Sequence, residues 1–127
     1  MDAVQKDIAH IERSIVKLFN TKKIDDILLY FSKNFVGFSS TQHERITSRP
    51  QLKKTFLHYL EEGDEVSYSI KNLNIKIYGE GALSSFYWTV DIIKKKKIKS
   101  IQGRGSHVFL MGDGGWKIVH EHYSKTH

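Results

Sequence analysis

The sequence contains no cysteine, which excludes disulfides and thiolate sites and leaves His, Asp and Glu as the only side chains suited to holding a metal. A cysteine-free chain fits a reducing compartment, and the cytoplasm is the expected location. Proline occurs once, at Pro50, and no linker or internal repeat divides the chain. No apolar run approaches the roughly 18 to 20 residues that a membrane span needs, so no membrane partner is expected. The charged amino terminus MDAVQKDIAHIE reads as a helix rather than a signal peptide. Glycine loops that cradle phosphate, nucleophilic Ser or Cys triads and zinc-binding spacings are all missing. No cofactor is expected.

What the sequence does contain is enough apolar material for one core. Its 127 residues are 39% hydrophobic and 12% aromatic, so residues 1–127 are read as a single globular domain. The net charge of +6 raises the prospect of an anionic partner. The densest basic run, Lys94 to Lys97 with Lys99, lacks interleaved aromatics and sits between two alternating apolar segments. It reads as a solvated hairpin tip, and nucleic-acid binding through it is the least favoured function.

Along the chain, Val4, Ile8, Ile11, Ile15 and Leu18 recur at steps of three and four, which predicts an amphipathic helix over Ala3 to Asn20 with its charged residues opposite. Ile24, Ile27, Leu28 and Phe31 repeat the period over a shorter span, with Asp25 and Asp26 in the first turn, and predict a second helix. Phe35 to Ser39 is a brief strand. Ser48-Arg49-Pro50-Gln51 combines a cap, a first-turn proline and a capping-box glutamine, so a third helix runs to about Glu62. It should bury Leu52, Phe56, Tyr59 and Leu60, leave His58 on the surface and stop at Gly63.

From Glu65 the period changes to two. Strands are expected over 66–78, 82–93, 99–111 and 115–124, separated by Gly79-Glu80-Gly81, the lysine run and Asp113-Gly114-Gly115. Helices followed by an antiparallel meander define an α+β fold with one sheet face covered by the helices. The last strand, GGWKIVHEHYS, carries His120 and His122 one residue apart, on the same side of the pleat.

This order of elements, with GDGGWKIVHEHYS at its end, resembles the nuclear transport factor 2-like superfamily and within it the SnoaL-like domains. The last strand is also similar to that of the calcium/calmodulin-dependent kinase II association (hub) domain. The resemblance implies three N-terminal helices packed in the concave face of a strongly curved antiparallel sheet, a cone-shaped α+β barrel open at one end. It also implies a homodimer joined through the outer sheet surface. Members include steroid isomerases, polyketide cyclases, dehydratases and domains without chemistry, so the fold does not select a function.

Matching to the hub domain and to steroid isomerases places Thr89, His107 and Tyr123 inside the cone. Strand alternation then carries Tyr87, Asp91, Phe109 and Glu121 inward with them. Phe86, Trp88, Val90, Val108, Leu110, Trp116 and Ile118 fall outside, where so much apolar surface calls for a second copy of the chain. Candidate ligand-binding residues are therefore Tyr87, Thr89, His107, Phe109, Glu121 and Tyr123, joined by Tyr59 and Phe38. His107 with Asp91 is the candidate catalytic pair, provided the two lie close enough for burial to shift their pKa values.

His120 and His122 as a metal pair would need a third ligand that no spacing supplies, so no metal site is expected. Inverted parity or a bulge would turn them into the pocket. The reading adopted puts them at the dimer interface with Phe86, Trp88, Val108, Leu110, Trp116 and Ile118.

Departures from the relatives narrow the chemistry. Where steroid isomerases carry a carboxylate base, this chain has Phe38-Ser39-Ser40; their helix tyrosine falls at Ile15 and their oxyanion-binding acid at His107. The hub domain's pocket arginines fall at Thr89, His107 and Tyr123. Isomerase chemistry and the hub's anion site are both disfavoured. The expected function is binding of an unknown small, partly apolar molecule in a homodimeric domain, with or without acid–base chemistry. That reading requires a cavity of roughly 300 Å³ or more. A non-catalytic sensing or assembly module is the alternative, and it tolerates a cavity filled by side chains such as Phe109, Phe38 and Tyr59.

Overall fold

Helix α1 (Ala3–Asn20) is started by a reciprocal cap in which the Asp2 carboxylate accepts from the Gln5 backbone N–H at 2.8 Å and the Gln5 amide oxygen accepts from Asp2 at 3.0 Å. Its buried stripe is Ile8, Ile11, Ile15 and Phe19, and Glu12 lies within it. Glu12 sits one turn from Ile8, only about 40° round the helix axis, so it shares the apolar face rather than the opposite one. The short α2 (Ile24–Leu28) buries Ile24 and Ile27 and hands the chain to β1 (Phe31–Phe38). Helix α3 (Arg49–Leu60) begins where Ser48 accepts from the Gln51 N–H at 3.3 Å, and it buries Leu52, Thr55 and Tyr59. The computed structural model describes residues 1–126.

Four long strands follow: β2 (Glu65–Tyr78), β3 (Gly81–Lys94), β4 (Lys97–Gly112) and β5 (Gly115–Lys125). They pair antiparallel in sequence, and β1 joins β5 in parallel, which gives the order β1-β5-β4-β3-β2. The sheet is thus mixed at one edge, because the chain passes through α3 between β1 and the meander. Among the described residues no helix is long and apolar enough to cross a membrane.

Two local devices set the registers. Lys95 and Lys96 both adopt left-handed backbone, with φ of 52° and 65°, so the basic run makes a two-residue turn between Lys94 and Lys97. That turn pairs Ser84 with His107, Phe86 with Gly105 and Trp88 with Gly103. On β5, Val108 faces His120 while Phe109 faces Ile118, which makes Val119 an extra, bulged residue. The bulge inverts the alternation midway, so Trp116 and Ile118 share the helix-covered inner face with Glu121 and Tyr123.

These registers correct the expected division of faces on β3 and β5. Phe86 and Trp88, expected outside, are 3% and 2% exposed and pack inward with Val90; Trp116 and Ile118 are buried with them. Tyr87, Thr89 and Asp91, expected inside, alternate with that set and therefore point outward. The cause is cross-strand pairing: once His107 points inward, its partner Ser84 and every second β3 residue must follow. Gly103 supports the arrangement, since a Cβ there would stand 2.3 Å from Trp88 Cζ2. The indole takes the space that a side chain would fill.

Candidate functional site

Three charged side chains meet in the core. Helix α1 brings Glu12, β4 brings His107 and β5 brings Glu121; they are 2%, 1% and 4% exposed. His107 Nδ1 lies 3.0 and 2.8 Å from the two Glu12 oxygens, and Nε2 lies 2.8 Å from Glu121 Oε1. The Ser84 hydroxyl, from β3, also donates to Glu12. Burial alone would lower the His107 pKa, but the charges and hydrogen bonds of Glu12 and Glu121 outweigh it and push the value from 6.5 to about 10. His107 is therefore an imidazolium at neutral pH, and each ring N–H donates to one carboxylate. The carboxylates occupy opposite edges of the ring, so they do not converge on one point. Among the described residues no group of three His, Asp or Glu side chains is placed to hold a metal ion.

Beside this triad lies a cavity of about 40 Å³. Its walls are Phe19, Phe56, Tyr59, Trp88 and Val90, with Ser39, Ser40 and Thr55 around them. Glu121, Tyr68 and Tyr123 supply its polar side. The Tyr68 and Tyr123 hydroxyls are hydrogen-bonded at 2.7 Å, and burial pushes both pKa values well up, so both stay neutral donors. Ser40 and Tyr59 bond at 2.9 Å and tie the segment after β1 to α3. Of the charged triad only Glu121 lines the cavity. His107 is sealed behind it, and any proton exchange with a bound molecule would have to pass through Glu121.

The sequence-selected residues separate into groups. His107, Glu121 and Tyr123 come together on the inner face, and Tyr59 joins the last two at the cavity. Phe109 is fully buried, 6.1 Å from the His107 ring, and packs in the core rather than lining the cavity. Phe38 lies away from the cavity, its ring 5.8 Å from His122 and 6.4 Å from His120, with Arg45 stacked over it. Tyr87 and Thr89 are on the outer face. So is Asp91, which accepts from Ser100 and cannot pair with His107 through the sheet. The carboxylates that hold His107 are Glu12 and Glu121 instead.

Val108, Leu110, His120 and His122 remain on the outer face, and His120 Nδ1 bonds the Val36 carbonyl at 2.9 Å. Residues missed by the sequence reading are Glu12, Ser84 and Tyr68. Glu12 had one visible signal: it interrupts the apolar stripe of α1 at a position where its neighbours one turn away are isoleucines.

The fold and its cavity define a class, small α+β domains with a sheet wrapped against helices and a pocket between them. Comparison with known proteins places the chain within that class. A SnoaL-like domain profile matches residues 8–126, and the chain belongs to the SnoaL-like domain family. None of the curated proteins matches the sequence.

Among solved structures, the association domain of C. elegans calcium/calmodulin-dependent kinase II is similar at 18% identity and a TM-score of 0.80, over 96% of this chain and 95% of that one. A nuclear transport factor 2-like protein of unknown function from Pseudomonas putida KT2440 aligns at 15% identity and a TM-score of 0.83, covering 96% and 86% of the two chains. A nuclear transport factor 2-like protein with a cystatin-like fold from Novosphingobium aromaticivorans aligns at 10% identity and a TM-score of 0.81, covering 95% and 80%. At these identities the likeness is one of fold.

Proposed function

We propose that this chain is a ligand-binding SnoaL-like domain whose cavity takes a small, partly apolar molecule against Glu121. The observation that carries this reading is the pairing of a buried carboxylate with aromatic walls at one cavity. The volume of about 40 Å³ is far below the roughly 300 Å³ of a drug-sized site, so the ligand is compact or displaces the Ser39–Ser40 segment. Binding rather than turnover is the function supported. The buried imidazolium of His107 is fully hydrogen-bonded and sealed from the cavity, which argues against its acting as an acid or base on a substrate. A thermal-shift and NMR screen of compact alcohols, amines and acids tests the reading, with Ser40→Trp at the cavity as control. Binding that Ser40→Trp abolishes supports it; silence from every class would remove it.

A second reading, self-association through the outer sheet face, rests on apolar side chains left in the open. Leu110 and Tyr87 are both 48% exposed, and Leu83 and Val108 lie beside them. A groove of about 290 Å³ lined by Tyr87, Arg104, Ser106 and His122 adjoins them. The C. elegans relative is an association domain by name, and a homodimer is the simplest equivalent for this chain. Sedimentation of wild type and Leu110→Asp decides: a dimer that the substitution splits supports the interface, and a monomeric wild type at 0.1 mM or so discards it.

A further inference from the structure

We propose that the cavity selects a small primary ammonium ion, an inference that rests on the binding reading above. The first ground is charge. Glu12 and Glu121 carry two formal negative charges and His107 one positive, so the buried cluster has a carboxylate in excess.

The second ground is where that excess is expressed. Glu12 receives both Nδ1 contacts and the Ser84 hydroxyl, whereas Glu121 receives only Nε2 on Oε1. Among the described residues nothing donates to Glu121 Oε2, although Glu121 is 4% exposed and lines the cavity. Among the described residues the fully buried side-chain polar atoms without a partner are Arg49 Nε and Trp116 Nε1, so Glu121 Oε2 is not sealed in the core and stays open to a guest, and a donor bearing positive charge pairs with a carboxylate most strongly.

The third ground is the wall. Phe19, Phe56, Tyr59, Tyr68, Trp88 and Tyr123 surround the space, and among the described residues no Lys, Arg or His lines it. Aromatic faces attract cations, and an anion entering here would meet Glu121 without any counter-charge. Continuity of the wall is visible in the ring distances: 5.5 Å from Phe19 to Tyr68, 5.9 Å from Trp88 to Tyr123 and 6.3 Å from Tyr59 to Trp88. The volume limits the guest to a few heavy atoms, the size of methylammonium or ethylammonium.

The test is a ¹H–¹⁵N NMR titration of the full chain with ethylammonium, ethanol and acetate at constant ionic strength, sodium chloride serving as blank. Ser39, Ser40 and Trp88 amides and the Trp88 indole N–H report the cavity. Ethylammonium should bind with a Kd on the order of 1 mM, at least tenfold tighter than ethanol, and acetate should not bind. Glu121→Gln should bring ethylammonium and ethanol within about twofold of each other. Phe56→Leu, which keeps the carboxylate and thins the wall, should weaken ethylammonium at least twofold. Ethanol binding as tightly as ethylammonium, or acetate binding tighter, overturns the selection of a cation and leaves the binding reading standing. Absence of any cavity response overturns both. Should Glu121→Gln not fold, the wild-type comparison and Phe56→Leu still decide.

Discussion

Replacing His107 with Leu keeps most of the side chain's bulk and removes the cation that bridges two buried carboxylates. Three close contacts vanish, those of 3.0 and 2.8 Å to Glu12 and that of 2.8 Å to Glu121. The residues left behind are 2% and 4% exposed, so bulk water does not solvate the oxygens that His107 held. Stranding one partner of a buried ion pair costs about 3–5 kcal/mol, and here two carboxylates are stranded. Set against a total stability of about 5–15 kcal/mol for a domain, His107→Leu should lose half or more of it. For a chain of this size that is a fall in Tm of roughly 10–20 °C.

The assay is urea unfolding followed by tryptophan fluorescence at pH 7 and again at about pH 9. The His107 contribution is lost as pH climbs towards its folded-state value of about 10, so the deficit should narrow on the alkaline side. A loss from packing alone would not change with pH. A variant within about 0.5 kcal/mol of wild type at pH 7, or a deficit of equal size at both pH values, would refute the buried ion triad.

Wild-type stability should fall on the alkaline side for the same reason. His107 has its pKa raised in the folded state, so its contribution is fully present below pH 6.5 and is lost as pH climbs through about 10. At about 1.4 kcal/mol per unit the loss is about 5 kcal/mol, measurable as a falling urea midpoint between pH 7 and 10 that His107→Leu does not share. Gly103→Ala should cost about 1–3 kcal/mol or more, since its Cβ would stand 2.0 Å from the Ser124 carbonyl oxygen; Gly112→Ala, with nothing nearer than 3.9 Å, should be near neutral by the same measurement. Phe86→Ala should cost about 3–5 kcal/mol and Tyr87→Ala much less, and the reverse order would reinstate the face division read from the sequence.

Much of the architecture was legible in the residues themselves. The stripe of Ile8, Ile11 and Ile15, the Ser48-to-Gln51 helix start and the period-two segments after Glu65 correspond to α1, α3 and the four long strands within a few residues. Local forces dominate there, because helical and pleated periodicity record which side chains can be buried together. The inward placement of His107, Glu121 and Tyr123 was also expected. Asp91 was chosen because it is the one acid on β3 with the parity assigned to the pocket, whereas Glu12 was passed over as part of a charged helix face.

Alternation in a strand distinguishes two faces but does not say which one the helices cover; on β3 the left-handed pair Lys95–Lys96 settles this by setting the register with β4. On β5 the extra residue at Val119 lets Trp116 and Glu121 share a face that strict alternation would deny them. A glutamate can occupy an apolar stripe only if a cation meets it across the core, and His107 lies 95 residues further along the chain. The helices, the hairpins and the absence of thiol chemistry were thus properties of the sequence alone. Which faces turned inward, and which carboxylates closed on His107, depended on pairings between distant segments that no local pattern encodes.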